Sequence, residues 1–150
     1  MSWISITEDD IERRLTGGEF TAVREAALSD GQPDPLPEEI KSAVRRVRGS
    51  VAACDRNKVG PDGTIPDELE DAFLAILRYK LLTRLPDVGL ISDDRRREYD
   101  DAIALLKDTA RCDFAVEQPL NPEAENTTSI PSPAIHSGDR QFDRTSQDGA

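Results

Sequence analysis

Pro35-Leu36-Pro37-Glu38-Glu39-Ile40-Lys41-Ser42-Ala43-Val44-Arg45-Arg46-Val47-Arg48-Gly49-Ser50-Val51 decides the fold. Ile40, Val44, Val47 and Val51 recur at i, i+4, i+7 and i+11, one narrow stripe of an α-helix. The prolines lead into the helix, where a missing N–H is not felt. Downstream, Gly60-Pro61-Asp62-Gly63 reads as a loop, and Pro66 opens a second helical pattern. Leu69, Phe73, Ile76, Leu77 and Leu81 share one face of it. Pro86 and Gly89 interrupt the chain. Ser92 then caps a further helix, with Asp93 and Asp94 suited to its N-terminal dipole and Tyr99, Ile103, Leu106 and Ala110 on its apolar side. Upstream, Thr7 is an N-cap before Glu8-Asp9-Asp10, Ile11 and Leu15 share a face, and Gly17-Gly18 stops the turn. Another short helix is expected from Glu19 to Leu28, ending before Asp30-Gly31. Trp3–Ile6 is a weak strand candidate.

These patterns predict an all-α fold, a small bundle of about five helices in residues 1–113, with an extended tail over residues 114–150. From about Pro119 onward the chain is rich in Pro, Ser, Asn, Asp and Thr. Its apolar residues Leu120, Ile130, Ile135 and Phe142 stand alone, too few to offset the entropy of ordering. Such a segment is expected to order on a partner.

Acids outnumber bases 30 to 19 among 150 residues, a net charge of −11. That balance counts against a general nucleic-acid binder, which needs a basic surface to displace counterions. An aromatic content of 5% counts against a stacking platform for single strands. No apolar run approaches the ~20 residues of a membrane span, and the first residues lack the pattern of a secretion signal. Cys54 and Cys112 are therefore expected to be reduced thiols, buried as small hydrophobes.

No enzyme chemistry is expected. The single histidine, His136, lies in the tail, without a rigidly held nucleophile beside it. The cysteines lack the spacing of a zinc site, and no phosphate-binding glycine motif is present. Neither a cofactor nor a metal is expected. Asp55–Pro66 resembles a calcium loop but fails by ligand count: counting from Asp55, position 5 is Val59 and position 12 is Pro66. Asn126-Thr127-Thr128 fits a glycosylation pattern that has no use without export.

Charge is segregated along the chain. Lys41, Arg45, Arg46, Arg48, Arg56 and Lys58 face only Asp55 in their stretch, whereas Asp62, Asp67, Glu68, Glu70 and Asp71 follow without a base. Solvated flanks with internal ion pairs are one reading. Another is a complementary edge: Lys41, Arg45 and Arg48 of one copy meeting Asp67, Glu70 and Asp71 of the next, a head-to-tail contact that closes into a ring. A third is a DNA-contacting packaging or regulatory protein using the basic helix over residues 40–58.

The opening Trp3-Ile4-Ser5-Ile6-Thr7-Glu8-Asp9-Asp10-Ile11 resembles the Mu-like head–tail connector family, small neck proteins of tailed bacteriophages. Asp34–Ile40 with Ala43–Gly49 is similar to that family's second block, and Arg78–Arg84 with Arg97–Asp108 to its third. Asp139-Arg140-Gln141-Phe142-Asp143-Arg144 resembles its terminal Arg–Phe–Arg element. Two departures stand out: Ala110-Arg111-Cys112-Asp113, where relatives often place a glycine, and the polar loop Asp55–Pro66. The resemblance implies a virion protein of the neck, assembled in the host cytoplasm as a ring, typically dodecameric. It would bind the portal protein on one side and a stopper, tail-terminator or tail protein on the other. DNA would pass through the lumen without specific binding. Portal contacts would fall to the tail residues Ile130, Ile135, Arg140, Phe142 and Arg144.

Overall fold

In the computed structural model, residues 3–14, 16–29, 31–84 and 91–122 are described. They form β1 (Trp3–Ser5), α1 (Glu8–Arg14), α2 (Gly17–Ser29), α3 (Leu36–Ala52), β2 (Thr64–Pro66), a single 3-10 turn (Asp67–Leu69), α4 (Glu70–Leu82) and α5 (Asp93–Ala110). The fold is all-α with a two-stranded ribbon added. The glycine pair at 17–18 opens α2 rather than closing α1. The end of α2 instead carries a helix-stop glycine: Gly31 sits at φ +69°, donating to Leu28 O, while Gln32 donates to Ala27 O.

Caps follow the side chains. The Thr7 hydroxyl accepts from the Asp10 N–H at 3.4 Å, and the Asp10 carboxylate accepts from the Thr7 N–H at 3.1 Å. This reciprocal arrangement satisfies donors that the first helical turn leaves open. Ser92 caps α5 by accepting from the Arg95 N–H.

The core is built where α3, α4 and α5 meet. Val44, Val47 and Val51 of the α3 stripe are buried, as are Phe73, Ile76, Leu77 and Leu81 of α4 and Leu106 of α5. Each such side chain contributes roughly 1.5–3 kcal/mol on leaving water. Ile40 is only half-buried at the upstream end of its stripe. Tyr79 of α4 stacks on Tyr99 of α5 with ring centres 4.3 Å apart. Across α3 and α4, Arg84 donates to Glu39 at 2.7 Å and Lys80 to the Ser42 hydroxyl at 2.8 Å.

β1 and β2 pair antiparallel, with Trp3 opposite Pro66, Ile4 opposite Ile65 and Ser5 opposite Thr64. Three residues per strand make no stable ribbon alone. Side chains hold it: the Trp3 ring lies against Gly60, its N–H donates to Glu117 O at 3.1 Å, and the Arg48 guanidinium sits 5.9 Å from the ring centre. A Cβ at residue 60 would lie 2.5 Å from the Trp3 ring. Gly60→Ala is therefore expected to displace the indole and cost roughly 1–3 kcal/mol, as overpacking does. Trp3 is the only tryptophan, so a red shift of its emission reads the displacement directly. An unchanged spectrum and urea midpoint would refute the close approach.

One expectation is corrected. Cys54 and Cys112 are not free thiols; they form a disulfide, with Cα atoms 5.3 Å apart across a sequence separation of 58. The bundle brings the end of α3 and the end of α5 to the same place, which no local pattern announces. Cys112 also occupies the left-handed region at φ +65°. There it donates to Thr109 O while Asp113 donates to Asp108 O, the hydrogen-bond pattern of a glycine stop. It falls within Ala110-Arg111-Cys112-Asp113, the stretch where relatives in the resembled family often place a glycine.

The chain beyond residue 113 also makes contacts with the bundle. Residues 114–119 pack back on the bundle, with Val116 and Pro119 buried. Glu117 N–H donates to Glu68 Oε1 at 3.0 Å, and Lys58 N–H donates to Gln118 Oε1 at 2.8 Å. Leu120, 92% exposed, marks where this arm leaves the surface.

Candidate functional site

The charged flank of α3 is the first candidate surface, and the structure divides it. Lys41 pairs with Glu38 at 3.0 Å, and the Arg45 Nε–H donates to Lys41 O at 3.3 Å. Arg45 and Arg46 are exposed. Arg48 turns towards the loop before β2, donating to the carbonyls of Pro61 at 2.7 Å, Thr64 at 2.9 Å and Gly60 at 3.1 Å. The segment that resembled a calcium loop thus presents its carbonyls to a guanidinium of its own chain. Within it, Asp62 Oδ1 accepts from the Gly63 N–H, and Gly63 makes the turn at φ +77°.

The acidic half lies at the start of α4. Asp67 and Asp71 are exposed and Glu70 half-buried, in the 3-10 turn and the first helical turn. Carboxylates there are favoured by the helix N-terminal dipole, independent of any partner. Neighbouring Glu68 is used internally, as the acceptor for the arm. The basic candidates thus lie on α3 and the acidic ones on the 3-10 turn and the first turn of α4. The tail candidates Ile130, Ile135, Arg140, Phe142 and Arg144, and His136, lie outside the described residues.

Sequence reasoning missed two features. Glu19 of α2 is buried and bracketed by Arg95 of α5 and by Arg78 of α4, the latter at 3.9 Å. Arg78 reaches Glu98 at 3.2 Å. This ionic chain seats α2 on the α4–α5 pair. Arg24 does the same at the α1 side, bonding Glu8 and Asp34 at 2.8 Å each. Burial alone would lower the Arg24 pKa, but the hydrogen bonds and charges of Glu8 and Asp34 outweigh it and raise it above its ordinary value.

The second missed feature is an open groove of about 470 Å³ along α4 and α5. Its α4 wall is Asp71, Ala72, Leu74, Ala75 and Arg78; its α5 wall is Glu98, Asp101, Ala102 and Leu105. Both walls repeat at i, i+3, i+4 and i+7, but small and charged residues dominate them, so an apolar-periodicity search passes over them.

Among the described residues, no cluster of His, Cys, Asp or Glu is placed to hold a metal ion. No described helix is long and apolar enough to cross a membrane. What the arrangement offers is surface: exposed guanidinium groups on α3, an acid-rimmed groove along α4 and α5, and an arm whose last described residues, 120–122, are exposed.

Comparison with curated proteins and with solved structures returns no match. The family described as bacteriophage Mu, Gp36 matches residues 6–132, which spans the helical bundle, the packed arm and the start of the polar segment. The chain belongs to the bacteriophage Mu Gp36 family.

Proposed function

We propose that this phage protein is a structural component of the virion neck: a head–tail connector, or adaptor, whose copies form a ring between the portal and the tail side. The observation that carries this reading is the family match over residues 6–132. It agrees with the block order from Trp3 to Asp108 that resembles Mu-like connectors. By that resemblance the ring is dodecameric, and its wall of net charge −11 per copy lets a polyanion slide without adhering. A helical domain of modest burial gains stability from neighbours in such an assembly. The role requires no chemistry, cofactor or metal.

The tail is the portal-binding element in this reading. Ile130, Ile135 and Phe142 are spaced apolar anchors, and Arg140 and Arg144 supply charge-assisted bonds to carboxylates. A stopper, tail-terminator or tail protein takes the opposite side, and the assembly forms in the host cytoplasm.

The cut that tests it falls after Pro122, because Val116 and Pro119 belong to the folded unit. Removing residues 123–150 is expected to leave helicity and melting intact and to abolish capture by the immobilised portal. Capture by the truncated chain would overturn the tail assignment. A gel shift at low salt separates the DNA-contacting alternative, suggested by exposed Arg45 and Arg46: steeply salt-dependent binding would favour it over the connector.

A further inference from the structure

We propose that the α4–α5 groove receives the α3 flank of a second copy of this chain, as the repeating contact of the ring; the inference rests on the ring reading above. α3 packs on both α4 and α5 through Val44, Val47 and Val51. On α4, Phe73, Ile76 and Leu77 turn towards that core, while Leu74, Ala75 and Arg78 line the groove. At 100° per residue these two sets lie on opposite sides of the helix. The groove and the outer flank of α3 therefore face away from each other. Two complementary surfaces on opposite faces make a heterologous contact, the kind that propagates from copy to copy and closes when the rotation allows.

The chemistry of the two faces matches. The apolar part of the groove is Ala72, Ala75 and Ala102 with Leu74 and Leu105, and its small side chains allow two helices to approach closely. Asp101 stands on its rim, exposed and without an ion pair among the described residues. On α3, Arg46 is exposed and likewise unpaired among the described residues. Gly49, one turn further, is exposed, and a Cβ there would meet nothing within 4 Å. Nothing in its own subunit calls for a glycine inside this helix, where glycine weakens the helix. It leaves a flat approach for a neighbour. Arginine suits such a site, since its stem covers apolar surface while its head reaches a rim carboxylate.

Complementary charge reversal in the full-length chain tests the contact, with assembly read by sedimentation and native mass measurement. Arg46→Glu and Asp101→Arg, each with unchanged helicity, are expected to weaken self-association at least tenfold. An equimolar mixture of the two variants is expected to restore it, because every interface in an alternating ring again pairs opposite charges. Wild-type-like assembly by either single variant, or no recovery on mixing, would overturn the groove contact while leaving the ring standing. A wild-type chain that stays monomeric both alone and with its portal would overturn the ring and the contact together.

Discussion

Replacing Cys54 and Cys112 together by serine is expected to lower the melting temperature of the domain by roughly 10 °C or more. The bridge closes a loop across a sequence separation of 58, and for that length the chain-entropy account assigns about 4 kcal/mol, most of it through the unfolded state. A local backbone cost sits at the same corner and cancels in this comparison, because serine carries it as cysteine does. Cys112 holds a left-handed backbone at φ +65° that a side-chain-bearing residue adopts at a cost of roughly 1–2 kcal/mol. Arg56 donates to Cys112 O at 2.7 Å and helps to fix the same corner. Beyond that corner the chain turns back as the arm containing Val116, Glu117 and Gln118. Amide exchange over residues 113–119 is therefore expected to rise more than exchange in α4, whose Phe73 and Leu77 sit deep in the core. Reduction of the wild-type chain should reproduce the double variant, and Cys54→Ser alone should cost as much as both changes, since either breaks the same bond. Equal melting with and without a thiol reductant would remove the disulfide from the account of stability.

How much of this was legible in the residues depends on the length scale of each interaction. The stripe Val44–Val47–Val51, the face Phe73–Ile76–Leu77–Leu81 and the caps at Thr7 and Ser92 are local patterns, and each holds in the structure. The short ribbon is another matter. Trp3 pairs opposite Pro66 and donates to Glu117, so its place depends on two segments far along the chain. The disulfide needs α3 and α5 to end side by side. Residues 114–119 carry no periodic apolar pattern, yet Val116 and Pro119 find a surface made by the bundle. Of the candidate site, the segregation of charge was legible, but its division was not. Arg45 and Arg48 both flank the valine stripe; which of them is available depends on the path of the loop from Gly60 to Thr64.

That division yields the second large effect. Arg48→Met keeps much of the aliphatic stem but removes every donor, leaving the carbonyls of Gly60, Pro61 and Thr64 without this partner. Hydrogen bonds from charged groups are worth more than neutral ones, and stranded partly buried acceptors add a desolvation cost, so a loss of about 2–4 kcal/mol is expected. Arg45→Met, on the exposed side of the same helix, should stay within about 0.5 kcal/mol. Urea unfolding followed by Trp3 emission measures both, and it also reports the loop, because the Arg48 guanidinium lies 5.9 Å from the Trp3 ring centre. Equal midpoints for the two variants would mean that Arg48 does not hold the loop. If the midpoints differ as expected, a charge-reversed Arg48 that fails to assemble reports a damaged subunit. Loss of assembly at Arg45 or Arg46, where the fold does not depend on the charge, then reports the contact between copies.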